Sequence, residues 1–257
     1  MVLKIKGLSK TYGGLSAVKD VTFNAEPGHI TAVIGPNGAG KTTLLNLING
    51  VVAADRGTVR LYDDDLTGHT PHLIASFGLT RTYQSPQLFE GLTVLETVMV
   101  GAHIQGRCGF ISSMLRGPRV IKEEQNLEHI ARLALDRTGV SRSIFERMAL
   151  DLPYGLQRRV EIARAVAMNS KAFLLDEPAA GLNGIEVEDI ANLIVSLRND
   201  GQIIVLVEHK MEMIMSISDR IVVMNFGGKI AEGTPAEVQS DSSVIEAYLG
   251  TEEHFDA

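Results

Sequence analysis

Cysteine occurs once in this chain, at Cys108. One thiol excludes an internal disulfide and any cysteine-based metal cluster, and it suits a reducing compartment. Long hydrophobic runs are also missing. The longest, Ile203-Ile204-Val205-Leu206-Val207, is strand-sized, whereas crossing a bilayer takes about 20 apolar residues. No membrane span is expected. Basic residues are outnumbered by acidic ones, for a formal net charge of −7, which argues against a broad nucleic-acid footprint and leaves room only for a local basic patch. Met1 to Lys10 alternates apolar and polar residues and carries Lys4, Lys6 and Lys10. That is a strand pattern rather than a secretion signal, so the cytoplasm is the expected compartment. There is neither an internal repeat nor a low-complexity tract.

What is present is enough apolar side chain, 45% of 257 residues, for one large core or one core with an inserted subdomain. The most informative stretch follows the apolar run Ile30 to Ile34: Gly35, Pro36, Asn37, Gly38, Ala39, Gly40, Lys41, Thr42, Thr43. Its glycines allow backbone conformations closed to residues with a Cβ, so successive N–H groups can converge on one anion. The pattern Leu44, Leu45, Leu47, Ile48 then starts a helix whose positive end points at the same place. This spacing predicts a polyphosphate cradle. In such a motif Lys41 reaches the β- and γ-phosphates, the Thr42 hydroxyl ligates Mg²⁺, and Thr43 donates to a phosphate nearer the sugar.

Ahead of the cradle, two strands flank the turn Tyr12-Gly13-Gly14. Tyr12, with Val18, is a candidate for the base-binding side of a nucleotide. The alternative for Tyr12 is a strand-end aromatic without a ligand. Asp63-Asp64-Asp65 follows a further strand and reads as a solvated turn, because metal-ligand spacing is absent. A helical reading from Pro71 gives way to a short β-type run, Leu79 to Tyr83, ending at Gln84. From Ser85 to about Asp151 the pattern is mostly helical, with Val94, Leu95, Val98 and Met99 on one face and Ile130, Leu133 and Ala134 on another. Its middle, Gly101 to Lys122, is rich in glycine and arginine and reads as a basic, solvated loop. Buried parallel strands then return at Ala172 to Leu175, Ile203 to Val207 and Ile221 to Met224, each fed by a helix-like segment. That alternation predicts a wound α/β sheet, closed by a hairpin at Asn225 to Ile230 and short terminal helices from Pro235.

A carboxylate at the carboxyl end of a buried strand is well placed for Mg²⁺ in such a fold. Asp176 and Glu177 stand there, the first suited to the metal and the second to orienting and deprotonating the attacking water. The alternative, a helix-capping acidic pair before Pro178, is disfavoured by the glycine loop upstream. Glu208-His209 ends another buried strand, where an imidazole could contact the γ-phosphate or merely form polar rim.

Taken in order, these residues resemble the ATP-binding subunits of ABC transporters over nearly the whole chain. Tyr12 matches the adenine-stacking aromatic, Gly35 to Thr43 the Walker A loop, Gln84 the Q-loop glutamine, Asp176 and Glu177 the Walker B pair, and His209 the switch histidine. Ala180-Gly181-Leu182-Asn183 resembles the D-loop, with Asn where Asp is usual. Leu152-Pro153-Tyr154-Gly155-Leu156 resembles the signature but departs from Leu-Ser-Gly-Gly-Gln at Pro153, Tyr154 and Leu156. Arg81-Thr82-Tyr83-Gln84, the Tyr-Gly of the signature and the ending Ala247-Tyr248-Leu249-Gly250 look like the branch serving branched-chain and hydrophobic amino-acid importers. Urea-importer and lipopolysaccharide-export ATPases are similar.

The resemblance implies a P-loop NTPase core with an antiparallel β subdomain, residues 1–84 and 155–257, and a helical subdomain, residues 85–154. It implies hydrolysis of ATP with Mg²⁺ by Lys41, Gln84, Glu177 and His209, the metal being held by Thr42, Gln84 and Asp176. The implied partners are two membrane permeases, a second ATPase subunit and, indirectly, a substrate-binding protein, with no nucleic acid. The place of work would be the cytoplasmic face of the membrane. Pro153, Tyr154 and Gly155 would face the partner's ATP, and because Pro153 cannot supply the hydroxyl or amide of the usual serine, the partner is expected to be a different chain. A soluble ABC ATPase acting on nucleic acid fits the acidic single half less well. A GTPase lacks support because no Asn/Thr-Lys-x-Asp guanine reader is present.

Overall fold

The computed structural model describes residues 2–103 and 118–249. Cys108, Arg107, Arg116 and Gly250 lie outside the described residues. The chain opens with β1 (Leu3–Tyr12) and β2 (Leu15–Ala25), an antiparallel pair in which Leu3 faces Ala25 and Tyr12 faces Leu15. β3 (His29–Ile34) leads through the glycine loop into α1 (Lys41–Ile48). β4 (Arg56–Leu61) returns antiparallel to β1 and carries the two-residue β5 (Asp64–Asp65) at its edge, so the first sheet has the order β2-β1-β4-β5. The acidic triplet belongs to that edge turn, where the Asp65 carboxylate accepts the backbone N–H of Thr67 at 2.9 Å. α2 (Pro71–Phe77) and β6 (Leu79–Arg81) bring the chain into a second sheet.

Helices follow: α3 (Val94–Ala102), α4 (Pro118–Arg137) and α5 (Tyr154–Ala167). Then β7 (Ala172–Asp176), α6 (Gly184–Asn199), β8 (Ile203–Val207), α7 (Met211–Ile217) and β9 (Arg220–Asn225) complete an alternation of strand and helix. β10 (Gly228–Gly233) closes a hairpin on β9, and α8 (Pro235–Gln239) and α9 (Ser242–Leu249) end the described chain. The second sheet runs β10-β9-β3-β8-β7-β6, parallel throughout except for β10. β7 and β8 are buried end to end and, apart from Asp176 at the end of β7, apolar, because both faces of the sheet are covered. β3, β7 and β8 are neighbours in register, Val33 beside Val207 and Asp176 also beside Val207, so their carboxyl ends form one edge.

The helical part has its own core, built around Phe145, Val98, Leu135 and Val160. A capping box starts α3: the Thr93 hydroxyl accepts the Glu96 N–H while the Glu96 carboxylate accepts the Thr93 N–H. Two expectations need correcting. On α4 the inward face is Leu127, Ala131, Ala134 and Leu135, with Ile130 packed against it; of the expected Ile130, Leu133 and Ala134, only Leu133, 55% exposed, falls off that face. The loop anticipated from Gly101 to Lys122 begins and ends inside helices, since α3 runs to Ala102 and α4 starts at Pro118. Gly101 is a packing glycine. A Cβ there would lie 2.3 Å from the carbonyl oxygen of Arg164, so its smallness lets α3 and α5 touch.

Candidate nucleotide site

The glycine loop sits at the carboxyl edge of β3, and two of its glycines are required by their surroundings. A Cβ on Gly35 would fall 2.1 Å from the Met224 carbonyl oxygen, and one on Gly40 (φ +98) would fall 2.3 Å from that of Ala17. The loop is thus clamped between β9 and β2. Lys41, the first residue of α1, is buried and donates from Nζ to the carbonyls of Gly35 at 2.7 Å and Pro36 at 3.0 Å. Gly35 and Pro36 lie beneath the loop as acceptors for this ammonium, while Asn37, Gly38, Gly40, Thr42 and Thr43 line a cavity of about 380 Å³. Ala39 also borders that cavity, although it is buried. Burial pushes the Lys41 ammonium below its ordinary pKa, against the opposite pull of the Glu177 and Asp176 carboxylates.

The second wall comes from β7 and β8. Glu177 follows the last residue of β7 in a left-handed conformation (φ +47), uncommon for a residue with a side chain. It points into the cavity and is held from two sides. Gln84 Nε2 donates to Oε2 at 2.8 Å, and His209 Nε2 stands 3.2 Å from Oε1. Three residues widely separated in sequence therefore meet at one carboxylate. Asp176 is nearly buried and bound by Arg81, whose Nη2 donates to its Oδ2 at 2.7 Å while Nη1 donates to Asn46 Oδ1 at 2.6 Å.

Glu208 is the anchor behind this wall. Its carboxylate, 3% exposed, accepts the Ala179 N–H at 2.7 Å and the His209 and Lys210 N–H groups at 2.7 and 3.2 Å. Neither Arg81 nor Glu208 was foreseen as part of the site. The sole sequence signal was that each stands within three residues of one that was.

The base-binding side departs from expectation. Val18 is wholly buried in the core, where the β1–β2 register shifts; Leu15, Ser16, Ala17 and Lys19 reach the cavity instead. Tyr12 is exposed at the end of β1, 5.6 Å beneath the Lys10 ammonium, and is not among the cavity's lining residues. The open apolar side chains at the mouth are Leu15 and Phe226, the latter 78% exposed at the β9-β10 turn. At the signature, Pro153 caps α5 with its carbonyl, which accepts the Leu156 and Gln157 N–H groups at 2.9 and 3.0 Å. The Leu156 amide is therefore used within the helix. Gly155 is buried against the first turn of α6, where a Cβ would meet Glu186. Asn183 caps α6 in a reciprocal box with Glu186.

Comparison with known proteins decides the family. The ABC transporter profile matches residues 18–180. The chain belongs to the ABC transporter family. A second profile, described as branched-chain amino acid ATP-binding cassette transporter, matches residues 229–254. The high-affinity branched-chain amino acid transport ATP-binding protein LivG of Escherichia coli K12 is 41% identical over 250 residues, 97% of this chain and 98% of LivG. BraF of Pseudomonas aeruginosa, of the same description, is 38% identical over the same shares. Among solved structures, a nucleotide-free ATP-binding cassette from an ABC transporter superposes with a TM-score of 0.83 at 33% identity, covering 96% of this chain and 98% of that one. A cassette in its ADP conformation gives 0.82 at 33%, covering 97% and 98%. The P-loop fold, the antiparallel β subdomain and ATP hydrolysis as the activity follow from this membership.

The geometry of Lys41 yields a pH test. Because burial lowers its pKa, the ammonium is lost on raising pH before an exposed lysine would lose it, and the charge-assisted contact with phosphate goes with it. ATP affinity should fall with a midpoint below the ordinary value of 10.5. Lys41→Ala should weaken binding by about 1.5–3 kcal/mol and remove that pH dependence. Calorimetric titration across the alkaline range checks both, and an affinity insensitive to pH up to 10.5 contradicts the assignment.

Proposed function

We propose that this chain is the ATP-hydrolysing subunit of an importer for branched-chain and hydrophobic amino acids. The observation that carries the mechanism is the meeting of Gln84 and His209 on Glu177 at the mouth of the glycine cradle. The cradle amides and the Lys41 ammonium bind the phosphates; Lys41 exchanges the Gly35 and Pro36 carbonyls for phosphate oxygens, which are stronger acceptors for a cation. Glu177 accepts the proton of the attacking water as general base, and its strained backbone fixes the direction of the carboxylate. His209, beside that carboxylate, donates toward the γ-phosphate or to the water. The donor set of Thr42 hydroxyl, Gln84 amide oxygen and Asp176 carboxylate is made of hard oxygens and fits Mg²⁺, which when bound neutralises charge on the phosphates.

Selection of the amino acids rests on the relatives of that description and on the match at residues 229–254. The transported molecule would touch the permeases rather than this subunit. A groove of about 730 Å³ beside Gln87, Leu88 and Phe89, floored by Arg164, opens next to the Gln84 segment, and it is the surface we assign to the permease. The chain would sit on the cytoplasmic face of the membrane, and among the described residues no helix is long and apolar enough to cross it. For the second ATPase we favour a different chain bearing the serine that Pro153 replaces.

Glu177→Gln should retain ATP affinity and lower hydrolysis by about 100-fold or more; in vesicles containing the assembled transporter it should also stop uptake of labelled leucine. Hydrolysis at the wild-type rate would remove Glu177 from its role, and wild-type vesicles that hydrolyse ATP without moving leucine, isoleucine or valine would remove the substrate assignment. Purification of the tagged chain from solubilised membranes should bring down two membrane-spanning chains and a second, different ATPase. Recovery of this ATPase alone beside the permeases would contradict the unequal pair.

A further inference from the structure

The segment bearing Gln84 leaves the sheet at Thr82, whose N–H makes the last strand-like bond, to Leu174 O at 2.9 Å. Beyond it the backbone is held by side chains of α5. Glu161 Oε1 accepts the N–H groups of Tyr83 at 3.3 Å and Gln87 at 3.4 Å. Arg158 Nη1 donates to Tyr83 O at 2.6 Å, and its Nη2 donates to Gln84 O. The Tyr154 hydroxyl donates to the same Gln84 carbonyl at 3.2 Å, and Arg164 donates to Gln87 O. Positions 154, 158, 161 and 164 fall on one face of a helix, spaced by four, three and three. This face binds backbone, which no pattern of apolar residues announces.

At its centre is a closed ion pair, Arg158 Nη1 to Glu161 Oε2 at 2.6 Å, with side chains 0% and 1% exposed. Burial pushes the Glu161 carboxyl above the usual carboxylate range in spite of Arg158. A buried pair is a poor means of gaining stability, because desolvation offsets the attraction; a better account of it is the geometry it fixes. Here that geometry is the two ends of residue 83, its N–H on Glu161 and its carbonyl on Arg158, immediately before the side chain that meets Glu177.

We propose that Arg158 and Glu161 are positioning residues for hydrolysis: they fix the Gln84 backbone so that its amide meets Glu177, and so tie the setting of that carboxylate to the position of α5. This deepens the proposed function, since α5 begins at the signature segment assigned to the partner's nucleotide. Closure of the partner's site would then be felt at this chain's Glu177 through one rigid helix face and one short segment of backbone.

The test is a double-mutant cycle on the full chain, or on the assembled transporter if hydrolysis requires it, reading kcat for ATP and, separately, affinity for a fluorescent ATP analogue. Glu161→Gln preserves shape and should lower kcat by about tenfold through misplacement of Gln84, with affinity changed by no more than about twofold. In a Gln84→Ala background the same substitution should produce no further fall, because the group being positioned is gone. Arg158→Lys, which keeps the charge but not the fork, should behave like Glu161→Gln. Where Glu161→Gln fails to fold, Tyr154→Phe removes one hydroxyl from a partly exposed ring and should give a smaller fall that also vanishes in the Gln84→Ala background. Unchanged kcat, or an equal fall with and without Gln84, overturns the proposal. The wild-type rate tests the ATPase reading itself, so the two can fail separately.

Discussion

The nucleotide site depends on one buried carboxylate that is not part of the cavity wall. Glu208 ties the turn after β7 to the turn after β8 through the N–H groups of Ala179, His209 and Lys210. A non-glycine residue held in the left-handed region costs on the order of 1–2 kcal/mol, and Glu177 is held there. Hydrogen bonds to a charged group contribute about 1.5–3 kcal/mol each, so three of them can outweigh the strain. Without this tie the Glu177 turn would relax, and His209 would lose its fixed distance from it. The parallel sheet supplies the remaining geometry, because β3, β7 and β8 end at one edge in register.

Two kinds of holding act on the same carboxylate. From the sheet side it is fixed by a strained turn and a buried anchor; from the helical side it is reached by Gln84, whose backbone hangs on α5. The first is rigid. The second can change when the helical part shifts, since contacts between that part and the core include the Gln84 segment, the packing of α5 on both clusters and an ion pair between Arg137 at the end of α4 and Asp200 after α6. This division suits an enzyme whose chemistry must wait for a partner.

Much of this was readable from sequence because the informative signals are local. Glycine spacing before a helix, uninterrupted apolar strands and an acidic pair at a strand end are each decided within about ten residues. Lys41, Glu177 and His209, expected together, all line the one cavity, while Asp176 stands just behind it, buried against Arg81. What was not readable is non-local. Arg81 looks like any strand arginine until Asp176 and Asn46 are seen beside it. Glu208 needs the turn at Ala179, 29 residues away in sequence. Val18 was misplaced because a site that approaches by backbone at Ala17 leaves no mark on side-chain identity, and Leu133 because an apolar residue beside the buried Ala134 still fits the helical period while it points to solvent.

The anchor gives the most direct measurement. Glu208→Gln keeps the shape but puts an NH₂ group against backbone N–H donors, so one of the two tied turns must come loose. The cradle and Lys41 are untouched, and ATP affinity should hold while kcat for hydrolysis falls by about tenfold or more. Steady-state turnover of Glu208→Gln, measured beside its ATP affinity, therefore tests whether the site is set from behind. Wild-type turnover would contradict it, as would a loss of affinity equal to the loss of rate.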